Sequence, residues 1–505
     1  MKYLTQYLQR IFTVDLRALA VMRIWIAGII LIDLAIRASD LEAHYSNMGV
    51  LPLHVLHQHL WLPHFFSFHT LSGLWQFQVV LFALAAIFAF CLLIGYKTRF
   101  ATVLSWLFLL SLHNRNPLIA QGGDDMLRML LFWGMFLPWG RFYSYDATKT
   151  KVNSNNASET NYFSAATAAY ICQLVFLYFF TAILKNSPEW HSDGTALYYA
   201  LSLDQILMPI GRLIYPYPEL LRVLTLAAYH TELLVTFLLF IPFYNSFFRI
   251  VVVSVLVTFH IGISLTLFVG LFYLINIASV VGLLPKPAMD WIDRRLLNSF
   301  RRPYTGHFKK FFKRLKAPNL VSVQVKVNRP LFPPHTLRIV RNSFVLFVLF
   351  YCFWWNLSTT HIQAPKLPDE SRWFGYMARV DQNWSMFAPI VFRDDGWYIL
   401  EGQTSEGKID LNQQGKEISY TKPASVMSLF KNDRWRKYSE NYLFVHNAYI
   451  RPYYCNYLVR RWNETHPNRP IKQLEVVYMK EPTQPDYQEV TPTREVLCIC
   501  ANAPE

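Results

Sequence analysis

A chain of 505 residues that is 53% hydrophobic and only 16% charged, with 39 Phe, 29 Tyr and 15 Trp, falls outside the composition of soluble domains, where about a quarter of residues are charged. Its net charge of +15 would suit a polyanion-binding protein, but Lys286, Arg294, Arg295, Arg301, Arg302, Lys309, Lys310, Lys313, Arg314 and Lys316 crowd into one linker between apolar segments. That placement follows the positive-inside rule, so a polytopic membrane protein is indicated and a nucleic-acid partner is not expected.

Met1 to Arg17 is amphipathic and carries no cleavable signal pattern. Nine apolar segments follow, at about 18–39, 74–95, 98–113, 123–139, 162–184, 218–243, 249–269, 271–285 and 335–357. Several are shorter than the roughly twenty residues that cross a bilayer core. Basic residues recur in alternate connections: Lys2, Arg10 and Arg17, then GYKTR (Gly95 to Arg99), GRFYSYDATKTK (Gly140 to Lys151), Arg249 and the linker. With nine spans these fall on the cytoplasmic side, while Asp40 to Thr70 and Asn186 to Glu219 fall outside. This predicts an all-α membrane bundle over 1–357, with a cytoplasmic basic linker at 286–334. An extracytoplasmic α+β domain follows over 358–505.

The first external connection carries His44, His54, His57, His59, His64 and His69, but Leu and Trp between them suit an amphipathic interfacial helix, and no metal is expected. In the tail, period-two alternation predicts strands at WYILEG (Trp397 to Gly402), YLFVHNAYI (Tyr442 to Ile450) and QLEVVYMKE (Gln473 to Glu481), with a helix around Ala424 to Leu443. The six cysteines show no disulfide framework, and Cys498 with Cys500 is the one close pair.

Ionisable residues within apolar segments mark functional candidates because unpaired charge is costly in hydrocarbon. The stretch NRNPLIAQGGDDMLRMLLFW (Asn114 to Trp133) combines a proline, paired glycines and the charges Asp124, Asp125 and Arg128. Asp124 and Arg128 have the i,i+4 spacing of an internal pair, and the carboxylates also suit a helix N-terminus. Either they cap a helix and fix topology, or the broken helix opens a water-accessible recess. In TAILKNSPEWHSDG, Lys185 closes the fifth segment on the external side. It either snorkels to headgroups or, surrounded by apolar groups, serves as a general base. The enzymatic reading requires both stretches to meet at one extracytoplasmic, water-filled vestibule. Arg23, Asp33, His230, Glu232 and His260 need partners elsewhere. GxSxG, HExxH and P-loop signatures are absent, as is GxGxxG in strand and helix context, which argues against familiar hydrolase, zinc-protease and nucleotide enzymes.

LALAVMRIWIAGIILIDL, YSNMGVLP, LLIGYKTRFAT, NRNPLIAQGGDDMLRMLLFW, FHIGISLTLFVGLF, DQNWSMFAP and GWYILEG together resemble the bacterial HTTM family, membrane-domain relatives of vitamin K-dependent gamma-carboxylase. The resemblance covers about residues 5 to 480. It implies a helical bundle in the bacterial inner membrane with a periplasmic carboxy-terminal portion. It also implies a reduced quinone, menaquinone or vitamin K hydroquinone, as cofactor. Lys185, followed by Trp190 and Gly194, resembles the segment whose lysine deprotonates that quinol. His260 resembles a histidine of the corresponding span, and Asp124, Asp125, Arg128 and Trp190 would shape the pocket. The chain departs from the carboxylase at NPLIAQGGDD, where an asparagine-asparagine-histidine segment would stand, and in its short tail. These departures set glutamate carboxylation aside. They also leave open a non-catalytic lipid- or quinone-binding scaffold, its tail engaging a periplasmic protein or peptide through Trp384. A transporter is disfavoured because no inverted repeat is visible.

Overall fold

In the computed structural model, which describes residues 2–149, 160–297 and 334–501, all nine apolar segments are helical. The amphipathic α1 (Lys2–Phe12) precedes α2 (Leu16–Ala38), α3 (Trp75–Ile94), α4 (Thr98–Arg115), α5 (Gly122–Gly134) and α6 (Ala165–Leu184). Then come α7 (Pro218–Leu234, prolonged by a 3-10 turn to Phe240), α8 (Asn245–Thr266), α9 (Phe272–Val281), the short α10 (Lys286–Ile292) and α11 (Pro334–Thr359). Six of these, α2, α3, α6, α7 with its extension, α8 and α11, are long and apolar enough to cross a membrane. The pair α9 and α10, bent by 108°, makes a seventh if taken as one broken span. The chain is thus a polytopic, mostly helical membrane bundle followed by a mixed α+β region. Residues 298–333, most of the basic linker, and Lys151 lie outside the described residues.

Nine expected spans reduce to six or seven because α4 ends in the polar run LHNR and α5 has only 13 residues. Both nevertheless run between two polar layers at opposite ends of α2, whose 23 residues rise about 33 Å. In the layer at the N-terminal end of α2 the Asp15 side chain caps the helix, and Arg17 bridges Asp15 to Asp290 and Asp293 near α10. In the layer at its C-terminal end Arg37 pairs with Asp33 at 2.7 Å and with Asp124, at the start of α5, at 3.0 Å. Arg115, ending α4, reaches that layer by donating to the carbonyl of Leu51. The ten residues of α9 likewise begin beside Gly123 and lead down to the α10 layer. Short crossings of this kind are tolerated because protein surrounds them, and most of α5 is buried. Arg23 gains its partners from a carbonyl at the end of α3 and two in the connection after α5, donating to Leu93, Trp139 and Tyr143.

The tail forms a four-stranded antiparallel sheet, β1 (Gly396–Thr404), β2 (Gly407–Asp410), β3 (Gln473–Lys480) and β4 (Thr493–Ala501), in the order β2-β1-β3-β4. Tyr398 pairs with Tyr478 and Leu400 with Val476, so Trp397, Ile399, Val477 and Met479 share one core, while Leu400, Leu474 and Val476 pack into the other. The second face carries α12 (Asp433–Leu443) and α13 (Arg451–Thr465). The helix expected from Ala424 starts only at Asp433, because the Asn432 side chain accepts from the amides of Arg434 and Trp435 and sets the cap there. YLFVHNAYI is not a strand. Its first residues finish α12 and Val445–Ile450 is a 3-10 turn, closed by Asn447 Nδ2 donating to the Asn441 carbonyl at 3.0 Å. The close pair Cys498 and Cys500 is not bridged: Cys500, on β4, forms a disulfide with Cys455 on α13.

Candidate functional site

Lys185 is the C-cap residue of α6, after which Pro188–Trp190 forms a 3-10 turn that folds the indole back over the lysine. The Lys185 Nζ sits 4.2 Å from the Trp190 ring centroid and donates to Glu232 Oε2 on α7. Their side chains are 5% and 9% exposed, so the ammonium turns inward instead of snorkelling to headgroups. Glu232 thereby gains the partner that an intramembrane carboxylate requires. His191 contacts the Lys185 carbonyl at 2.7 Å. His230, two residues from Glu232, points outward and bonds only its own helix at Leu226.

Residues 381–393 strap this corner to the start of α5. Trp190 Nε1 donates to the Phe387 carbonyl at 3.0 Å, and the buried Glu189 accepts from the Val391 amide and pairs with Arg393. Met386 lies over Gly122, where a Cβ would come within 2.7 Å of its sulfur. The expected Asp124–Arg128 pair is not made. Arg128 instead bonds Asp125 at 3.1 Å and the Asp381 carbonyl, because the first turn of α5 aims Asp125 at the strap and Asp124 at α2. Trp384, read as exposed, is 1% exposed. Its indole donates to Gln382 Oε1, which also accepts from Gln173 and Asn356. It is therefore a core residue whose ring is not presented at the surface.

Asp124 both caps and cross-links. Its Oδ2 accepts from the Gln121 amide at 2.9 Å and from Arg434 Nη1 at 2.5 Å, while Oδ1 accepts from Arg434 Nη2 and Arg37 Nη2. Arg434 also reaches Asp33 at 2.8 Å. Two carboxylates and two guanidiniums thus form a closed, neutral network with the bidentate geometry that Arg favours. A cavity of about 560 Å³ meets this network from the side of Asp33, Gln121, Asp433 and Arg434, leaving Asp124 covered. Among the described residues, Met386 covers Gly122 at the start of α5, and Phe272 touches Gly123 on one side and the His260 ring, at 5.6 Å, on the other, so apolar side chains pack where the expected vestibule would open. His260 Nε2 bonds Tyr178 Oη at 2.7 Å. Tyr178 precedes Lys185 by seven residues, two turns of α6 and about 10 Å away.

Three carboxylates that the sequence does not connect meet where the tail rests on the bundle. Ligand atoms of Asp204, Asp395 and Glu481 lie within 4.8 Å of one another, and Lys422 bonds Asp204 and Glu481. Burial, with the adjacent Asp204 charge, holds the Asp395 carboxyl well above the usual carboxylate range despite Lys422. Oxygen donors of this kind suit a hard cation, but the lysine already supplies the positive charge. The loop histidines serve packing: His59 stacks on Tyr449 with centroids 4.0 Å apart, His44 lies 4.3 Å from Trp435, and burial pushes His44 and His69 down to about 3.

No family model, curated protein or solved structure matches this chain. Apart from the charge network, α6 carries two buried polar pairs, Lys185 with Glu232 and Tyr178 with His260. The sequence alone did not single out Arg37, Tyr178, Gln382, Arg393 or Arg434. Of these only Arg37, four residues after Asp33 on α2, carried a visible signal.

Proposed function

We propose that the Lys185–Glu232 pair is by itself an acid–base centre for a reduced quinone, without the vestibule shared with Asp124, Asp125 and Arg128 that the sequence reading required, in a protein related to the HTTM and gamma-carboxylase membrane domains. The observation that carries this reading is the buried bond from Lys185 Nζ to Glu232 under the Trp190 ring. Away from water the bond between the two side chains gains strength, and it gives a proton a path between Lys185 Nζ and Glu232 Oε2. We read this pair as the base at the outer membrane boundary. The residues fit a hydroquinone chemically: a proton acceptor, an aromatic face and the Tyr178–His260 donor pair lie along α6 and its following turn. A quinol would supply a weakly acidic hydroxyl, and these side chains orient it and hold its proton. Glutamate carboxylation is not part of the proposal.

We place the amino terminus in the cytoplasm and the tail in the periplasm of a bacterial inner membrane. Lys97, Arg99, Arg141 and Lys149 share the inner side, and the Cys455–Cys500 disulfide suits an oxidising compartment. The alternative reading, a non-catalytic lipid- or quinone-binding scaffold, is favoured by the same ion pair insofar as Glu232 holds Lys185 as an ammonium. The experiment supplies lipid-reconstituted protein with reduced menaquinone or vitamin K and oxygen and measures epoxide. Product from the wild type and its loss in Lys185→Ala support the enzyme. Equal output from both overturns Lys185 as base, and quinone retained without turnover supports the scaffold.

A further inference from the structure

Two cavities that Lys185 does not line share part of their walls and together offer one amphiphilic groove. The lower, about 810 Å³, is cut between α2 and α3, with Leu31, Leu34, Val79 and Ala86 on its walls. Both helices are apolar enough to span a membrane, and Val79 is 45% exposed, so this cleft opens sideways toward acyl chains. From Trp75 to Ala86 it follows eleven residues of α3, about 16 Å, room for a stretch of one hydrocarbon chain. The upper cavity, about 400 Å³, lies inside the tail domain between β1, α12 and α13, and Tyr398, Trp435 and Trp462 line it. Lys431, Tyr457 and Arg461 belong to both linings and form the junction.

The junction carries charges of both signs. Lys431 Nζ bonds Asp40 at 2.7 Å, and Arg461 lies 3.8 Å from Glu42. The Lys431 and Arg461 side chains are 55% and 45% exposed; Lys431 also donates to the Ser39 carbonyl and Arg461 to Glu464, both at 3.0 Å, so a phosphate engages them in exchange for these surface bonds. Two cations and two anions on one rim complement a headgroup that is itself neutral overall, whereas an anionic headgroup meets Asp40 and Glu42. Aromatic faces just above the rim suit an ammonium.

We propose that this groove binds a zwitterionic aminophospholipid, one acyl chain in the α2–α3 cleft and the headgroup at the rim. Its phosphate lies between Lys431 and Arg461, and its ammonium faces Asp40, Glu42 and the Tyr457 ring. The site is independent of Lys185 chemistry.

The full chain is reconstituted in vesicles containing phosphatidylethanolamine with a photoreactive acyl chain, and crosslinked peptides are mapped. Labelling is expected within residues 31–43 and 75–86, and unlabelled phosphatidylethanolamine should compete about tenfold better than phosphatidylglycerol of the same chains. Val79→Trp, on an exposed wall position, should abolish that labelling. A Lys431→Ala, Arg461→Ala double variant should erase the headgroup preference while the tail fold is monitored by its disulfide. Equal competition by phosphatidylglycerol, labelling spread evenly over all lipid-facing helices, or a Val79→Trp protein labelled like wild type would each overturn the proposal.

Discussion

Lys185 and Glu232, 47 residues apart on α6 and α7, form an ion pair beneath the ring of Trp190. Removing one partner strands a charge away from water, which costs about 3–5 kcal/mol, whereas an apolar pair of similar volume is close to neutral. Lys185→Met and Glu232→Leu should each lower the unfolding midpoint in detergent. The double variant should recover most of that loss while remaining inactive toward reduced quinone. Additive losses in a double-mutant cycle would show that the two do not act as a pair.

Arg434 is the tail's main polar anchor in the bundle, bonding Asp33 and Asp124. Arg434→Ala should destabilise the protein by about 3–5 kcal/mol, because two buried carboxylates are left with one guanidinium, Arg37, between them. Limited proteolysis should then cut between residues 360 and 395 sooner than in the wild type. An unchanged cleavage rate would mean that the strap alone holds the tail.

The Asp395 carboxyl, raised by burial and by Asp204, binds its proton more tightly folded than unfolded. Its contribution to stability is therefore complete below the unfolded value near 3.9 and fades as pH rises through the folded value. Asp395→Asn should flatten that decline and make the protein more stable than wild type at pH 8, measured by thermal unfolding across pH. The Asp204 amide, which donates to Asp395 Oδ1 at 3.1 Å, keeps an acceptor in this variant.

Much of the helical bundle was legible because long apolar runs report their own burial. β1 and β3 were legible because Trp397, Ile399 and Val477, Met479 alternate with residues of the other face. YLFVHNAYI alternates just as well, yet Asn447 bonds Asn441 and turns the chain, and such side-chain competition with the ladder does not show in periodicity. Trp384 looked exposed because Asp, Gln and Asn surround it, but Gln382 is the polar group that satisfies its buried indole. For Lys185, burial cost predicted that Glu232 needed a partner without saying which. The identity of the partner lives in helix packing, as does that of Arg434 for Asp33, 401 residues away.

Cys455 and Cys500 close a loop of 45 residues between α13 and β4. Cys500→Ser should cost about 2–4 kcal/mol and loosen the last strand. Mass spectrometry of the alkylated, unreduced wild type should find the 455–500 peptide pair, with Cys498 modified. A pair between Cys498 and Cys455 would contradict the strand register.

The four-charge network also dictates an order of biogenesis. Asp33 and Arg37 leave the ribosome early, but Arg434 follows them by about four hundred residues, after the final span. Until that segment docks on the bundle, the nascent α2 and α5 hold the buried Asp33 and Asp124 with an incomplete set of guanidiniums. Chains truncated before residue 434 should therefore insert but remain prey to membrane quality-control proteases, whereas chains that extend past α12 become resistant at once.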